Sequence, residues 1–447
     1  MGTVYTVLGS VFAFVIVFGI LVFVHEFGHF FMAKLVGIRV EVFSFGFGKR
    51  LFGFKKGETD YRISLVPMGG FVKFSGEEDF DRKRKLDSRD FMAKKRWQRF
   101  LVLVMGSLMN ILLALVLVSI ISMVGVTVLE HQEQKPVIGW LEPGSPAERA
   151  NLKVGDEILS INKRKMKIWG DVDIAVGTKP QKLITVEVRR GKEILAVQLM
   201  TESETKYEPG KAGFFGRILN QVFEVTPQYP AEKAGLKKGD VIIAVNGEPV
   251  YYEKFTEVVK DNPEKELEFL IDREGETLTL YVTPRLEEEV GKIGLTSYPK
   301  FVFKRYGFFA AIARSIKENK RLTFVLVNFI KDLIAGEASA QQVGGPIEIA
   351  KWSFRFLRLG FFALMSFIAF ISLQLGIINL FPIPVLDGGQ IFVLGLEGLF
   401  RKDFSPKIKQ IVMTIGFAFF IILITLVILN DVARRLPNGW DSFLFWK

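Results

Sequence analysis

His25-Glu26-Phe27-Gly28-His29 follows directly on Val4–Val24, a run of 21 residues without a charge. As a helix that run is about 31 Å long, the thickness of a bilayer's hydrocarbon core. Two imidazoles four positions apart lie on one helical face, close enough to grip a single metal ion. The carboxylate beside the first can then take a proton from metal-bound water. The chain has only three histidines, and two of them are committed here. Shuffling this composition produces H-E-x-x-H on the order of 10⁻³ times per chain. Such side chains are costly in hydrocarbon and are kept there for function. Lys34 is the first residue beyond the motif able to reach a membrane surface, which sets His29 about 8 Å and His25 about 14 Å deep.

Working outward, 447 residues leave room for two or three folded units. A hydrophobic share of 49% with 43 phenylalanines, beside an ordinary 24% charge, fits apolar residues gathered into spans. Four segments qualify: Val4–Val24, Leu101–Leu129, Phe361–Phe381 and Ile411–Leu429. The first lacks the basic start and small-residue site of a cleaved signal peptide, so it reads as a retained span. Between Lys34 and Arg99 there are 17 Lys/Arg against nine Asp/Glu, and none of either before Val4. Basic loops stay in the cytoplasm, so both termini and the Glu130–Gly360 stretch are expected outside, and Pro382–Gln410 inside. A net charge of +11 does not imply nucleic-acid binding here, because the basic residues flank spans. With no cysteine, any metal must use nitrogen and oxygen ligands.

A hydrolytic zinc site has three protein ligands and one open position. His131, past the second span, falls on the wrong side of the membrane, so the third ligand must be an oxygen. Asn379-Leu380-Phe381-Pro382-Ile383-Pro384-Val385-Leu386-Asp387-Gly388-Gly389 supplies one. Phe361–Phe400 is almost continuously apolar for 40 residues, about 60 Å as helix and twice a bilayer. Pro382 and Pro384 must break it, and non-helical backbone at that depth has to line a cavity or be buried in protein. Asp387 sits in that break.

H-E-x-x-H on the first span with N-x-x-P-x-P-x-L-D-G-G near a later one resembles the site-2 protease family of intramembrane zinc metalloproteases. Four spans with an outer insertion resemble its bacterial branch with tandem PDZ domains. The likeness includes Gly46-Phe47-Gly48-Lys49, Met68-Gly69-Gly70-Phe71-Val72-Lys73 and Gly344-Gly345-Pro346-Ile347. It implies that His25, His29 and Asp387 bind Zn²⁺ and that Glu26 is the general base. Asn379, with Pro382 and Pro384, would contact substrate or organise the site. Asn110 in the second span is either a substrate contact or interhelical glue. The chain departs from the family at Gln390, where histidine is common, and at Gly106-Ser107, where Gly-Pro is common.

Pro146–Ile158 recurs as Pro230–Ile242, and with Asn162 and Asn246 included ten of 17 positions are identical. Each copy reads as a short helix, a Gly-Asp turn and a strand. This pattern resembles bacterial PDZ domains, which take extended peptides as an added strand; a filter for substrate ectodomains, a peptide-binding regulator and a spacer all remain open. Tyr207–Gly216 reads as the linker between copies. Alternation over Val40–Phe74 suggests strands, which in this family form a hairpin dipping into the membrane. Tyr306–Ile334 has helical apolar spacing, but only nine residues separate Arg321 from Lys331, so it is expected to lie along the outer surface.

The expected architecture is a polytopic α-helical membrane protein with two inserted periplasmic PDZ domains (α+β) and a membrane-associated β-hairpin region. Its segments are helix 1 at 1–36, the basic loop at 37–99 and helix 2 at 100–129. The PDZ domains follow at 133–203 and 214–286, then surface helices with the GGPI segment at 300–350. Helix 3 with its broken segment covers 360–400, helix 4 covers 410–430 and a periplasmic tail 431–447. The expected activity is cleavage of a peptide bond inside a single-span membrane protein. By resemblance the substrate is an anti-sigma factor, or a remnant signal peptide, in the bacterial inner membrane. The partners are that substrate and the lipid bilayer, with no nucleic acid. A non-catalytic PDZ scaffold would need none of His25, Glu26, His29 and Asp387. A zinc transporter would need a second intramembrane site.

Overall fold

The computed structural model describes residues 2–77, 87–203 and 208–436. Among them are eleven α-helices. In order these are α1 Gly2–Leu35, α2 Arg96–Val124, α3 Pro146–Arg149, α4 Trp169–Gly177, α5 Pro230–Lys233 and α6 Tyr252–Lys260. They continue as α7 Phe308–Ile334, α8 Pro346–Arg358, α9 Phe361–Ile378, α10 Asp387–Leu399 and α11 Pro406–Ala433. Helices α1, α2, α9 and α11 are long and apolar enough to cross a membrane, as expected. Most of the tail expected at 431–447 lies outside the described residues, as does Tyr207 of the expected linker.

The chain divides into two units. The first holds residues 1–124, 305–328 and 343–447. In it α1 packs on α2 and α8, and α2 on α9, around Val17, Leu21, Phe367 and Ile368. Lipid offers no backbone partners, so these apolar segments satisfy their own amides as helices. The 40-residue apolar stretch is split as anticipated, into α9 and α10, with residues 379–386 between them.

Val40–Lys56 and Thr59–Phe74 form the expected hairpin. Val42 through Phe45 each pair twice, with Asp60–Ile63 and with Gly70–Lys73, so the two long strands fold back into a broad curled sheet. Phe43 and Tyr61 seat it on Phe23 and Phe30 of α1. Phe52, Phe54, Ile63 and Leu65 of the hairpin are exposed.

Two expectations shift. Leu101–Leu129 is not one span: α2 stops at Val124, and Val126–Leu129 is a strand paired with Phe301–Lys304. Nor does α7 stay level with the Val124 end of α2, where a helix lying along the outer surface was expected. The Ser315 hydroxyl donates to the Leu115 carbonyl (2.8 Å), about 14 Å down α2 from Val124, and Leu322 and Leu326 pack against Ala114, Leu373 and Ile377. Amphipathic spacing suits a helix laid on lipid and one laid on other helices equally well.

The second unit holds residues 125–304 and 329–342 and contains both copies of the repeat. In the first copy Glu157–Ile161 pairs with Leu183–Arg190, which pairs with Glu193–Met200, burying Ile184, Val186 and Val188 on one face. In the second the strand order is Glu276–Val282, Leu267–Arg273, Val241–Val245, Asn220–Val225, Leu295–Pro299. Both expected boundaries therefore move. Phe214 pairs with Leu141 and is buried in the first copy's core, so the described part of the expected linker belongs to that copy. Leu295–Pro299 extends the second copy beyond 286.

The repeat's shared residues have matching partners. Asp156 accepts from the Lys153 amide (2.9 Å) and from Arg190 (2.8 and 2.7 Å). Asp240 accepts from the Lys237 amide (2.8 Å) and from Arg273 (2.7 Å twice). Burial works against the charge of Asp156, but Arg190 and the Lys153 amide hold its carboxyl below the usual range. Asn162 and Asn246 each accept a strand amide, from Thr185 and Glu268, at 2.8 Å.

Candidate metal centre

Helix α1 presents His25 and His29 toward α2, where Gly106 makes room for them. A Cβ at Gly106 would stand 2.3 Å from His29 Nε2 and 2.9 Å from His25 Cε1. His29 Nδ1 lies 2.8 Å from the Val102 carbonyl, which can only accept. The proton therefore sits on Nδ1, and Nε2 keeps its lone pair for a metal.

Asp387 arrives from the far end of the chain. The Gly388 amide donates to the Asn379 carbonyl (2.7 Å), closing the loop that begins where α9 ends. Glycine is required at 388 and 389, because a Cβ would stand 2.3 Å from the Leu380 carbonyl carbon or 2.2 Å from the Ile383 oxygen. This tight closure sets Asp387 at the first position of α10, facing the imidazoles.

His25 Nε2, His29 Nε2 and Asp387 Oδ2 form a triangle with sides of 3.2 Å between the imidazoles, 3.2 Å from His25 to Asp387 and 3.4 Å from His29 to Asp387. Four ligands at the usual zinc bond lengths stand about 3.3 Å apart along each tetrahedral edge. The donor set thus fits zinc, with three corners supplied by protein and the fourth open. No other group of three or more His, Cys, Asp or Glu side chains among the described residues approaches this arrangement.

Glu26 lies beside the triangle, against the hairpin strand that carries Gly70 and Val72. Gly70 presses so close that a Cβ there would be 3.0 Å from Glu26 Cγ. The Ser107 hydroxyl donates to Asp387 Oδ2 (3.4 Å), so the serine at a departure from the family pattern has a partner at the site. Gln390, the other departure, lines a cavity of about 740 Å³ with Val72, Arg99, Glu397 and Lys409.

The remaining expected residues are more scattered. Asn379 closes the loop by its backbone. Pro382 lines a separate cavity of about 610 Å³ among α2, α7 and α9. Pro384 faces α11, where a Cβ on Gly416 would be 2.3 Å away from its own. Asn110 is fully buried between α2 and α9; its carbonyl accepts from Ser372 (2.8 Å), while neither amide atom has a partner among the described residues. Gly106, Val102, Val72 and Ser107 were not singled out as site residues. They act through space from other elements, and only the Met68–Lys73 likeness and the Gly106-Ser107 departure point to three of them.

Residues 13–423 match the family model described as Peptidase family M50. The chain belongs to this family. It is 32% identical to the regulator of sigma-E protease RseP of Escherichia coli, covering 94% of this chain and 98% of that one. It is also 32% identical to the protease RseP of Yersinia pestis, over 96% and 99%. Among solved structures, the PDZ domain of an SdrC-like protein from Listeria monocytogenes is 15% identical, covers 18% of this chain and 84% of its own, with a TM-score of 0.17. This M50 protein is a membrane-embedded zinc metalloprotease.

Proposed function

We propose that His25, His29 and Asp387 hold the catalytic zinc, that Glu26 is the general base, and that the bond cut lies within the transmembrane segment of a single-span protein. The triangle of donors with one open corner carries this reading, and Glu26 alongside it supplies the proton acceptor. Zinc held by these three residues would supply a Lewis acid for the scissile carbonyl and a water whose pKa is lowered to about 7. Glu26 then takes that proton and returns it to the leaving amine. Ser107 keeps Asp387, the third ligand, oriented, and the hairpin packs against Glu26 beside it. A substrate helix hides its carbonyls in its own hydrogen bonds, so it must unwind before cleavage. The hairpin beside Glu26 offers strand edges to hold it extended, and its exposed phenylalanines suit a membrane surface.

We read the two repeats as PDZ domains on the outer side of a bacterial inner membrane, with the site nearer the cytoplasmic face. The basic Lys34–Arg99 connection supports that orientation. The relatives named as sigma-E regulators make an anti-sigma factor the first substrate to try. Asn379 and Asn110 are read as substrate-contacting or site-organising. Incubating the full chain in detergent with candidate transmembrane peptides, with and without a chelator, tests the reading. Cleavage must stop on chelation and return with zinc. A PDZ scaffold without activity would cut nothing under either condition.

A further inference from the structure

Helix α8 is pinned at its start and left bare along one face. Asp431 of α11 is fully buried and accepts from the backbone amides of Gly345 (2.9 Å), Ile347 (3.0 Å) and Glu348 (3.2 Å). A Cβ on Gly345 would meet Asp431 Oδ2 at 2.7 Å, which accounts for the Gly-Gly-Pro-Ile motif as a carboxylate-capped helix start. The buried side of α8 carries Phe354, which touches Tyr5 of α1 and leaves no space for a side chain at Gly9.

The exposed side is basic, and Arg358 at its edge lies 6.0 Å from the Phe354 ring. At 100° per residue Lys351, Arg355 and Arg358 fall within a 60° arc, and all three are exposed. Trp352 and Leu359 border that arc and are exposed too. Arg355 stacks over Trp352 at 4.9 Å. The acids at this end are already occupied: Asp431 by the helix start, and Glu348 by Arg435 (2.8 Å). Lys351, Arg355 and Arg358 have no carboxylate partner among the described residues.

We propose that this face of α8 binds the phosphate headgroups of anionic phospholipids. Three uncompensated cations bordered by tryptophan and leucine match a helix lying in the headgroup layer. Continuity with the bilayer argues for lipid over an acidic protein. Membrane-crossing α9 starts three residues after Arg358, with Phe361 and Phe362 exposed on it. The stripe also lies at the end of the bundle opposite the basic Lys34–Arg99 connection, so it does not belong to the cytoplasmic charge that orients the chain. Lipid seated there would hold α8 against α1, the helix that carries both histidines.

The test is lipid retention. The full chain is equilibrated in mixed micelles of phosphatidylcholine and phosphatidylglycerol near 0.15 M salt, and bound lipid is counted by mass spectrometry. The native chain should enrich phosphatidylglycerol, and K351Q/R355Q/R358Q should lower that enrichment by roughly tenfold or more while keeping its zinc. R355K/R358K should retain most of it, and K233Q/K237Q/K238Q, changed in the second repeat, should leave it untouched. On the unaltered chain, rising salt should bring the enrichment toward parity. No preference in the native chain, an unchanged preference in the triple glutamine variant, an equal loss in the repeat variant, or a preference indifferent to salt each overturns the proposal.

Discussion

Glu26, His25, His29 and Asp387 differ in what their loss should do. Glu26→Gln keeps every donor of the triangle, so zinc content should stay near one per chain while cleavage falls by about 10²–10⁴. Metal analysis and peptide cleavage on the same sample check this, and a variant that still cuts at the native rate removes Glu26 as base. Asp387→Ala opens a second corner and should lower zinc occupancy itself; a full complement would dismiss Asp387 as ligand. Ser107→Ala removes only the hydroxyl that donates to Asp387. Its zinc affinity should drop by about tenfold, the lower end for an outer partner, because 3.4 Å is a long bond. The histidines and Asp387 were legible in the sequence because their spacing and the proline break are local. Val102 was not, and for Ser107 and Val72 the family pattern marks the stretch without marking the residues that they meet.

At the level of elements, the repeated Gly-Asp turn explains itself through an arginine that the repeat comparison did not include. Asp156 and Asp240 are buried and each is held by a guanidinium, Arg190 and Arg273, from a later strand. Asp156→Ala should destabilise the first copy by about 2 kcal/mol, seen as faster hydrogen exchange in Glu157–Ile161 of the full chain. Glu253 at the start of α6 gives a second prediction. Burial, aided by Asp173 of α4, raises its carboxyl to about 7. An acid raised on folding favours the fold below its unfolded pKa and weakens it as pH rises from about 4.5 to 7. Glu253→Gln should therefore flatten that pH dependence and stabilise the second copy at neutral pH, by the same exchange measurement on Phe255–Val259. The spans and the hairpin were readable because apolar run length and alternation are strong signals. The copy boundaries were not, because Phe214 and Leu295–Pro299 complete their sheets from beyond the repeated stretch.

Across the whole molecule, the proposed zinc site would tie α1 to α10. At free zinc a hundredfold above its dissociation constant, binding contributes about 2.7 kcal/mol to the folded chain. Chelation should lower the thermal midpoint, zinc should restore it, and Asp387→Ala should respond to neither; a midpoint indifferent to metal would argue against the tie. Asp387 follows His29 by 358 positions. A nascent polypeptide leaving the ribosome carries both imidazoles long before it carries their acidic companion. With the ligands proposed here, hydrolytic power would arrive late in synthesis, and an interrupted translation product would be harmless to the neighbours it is being threaded among.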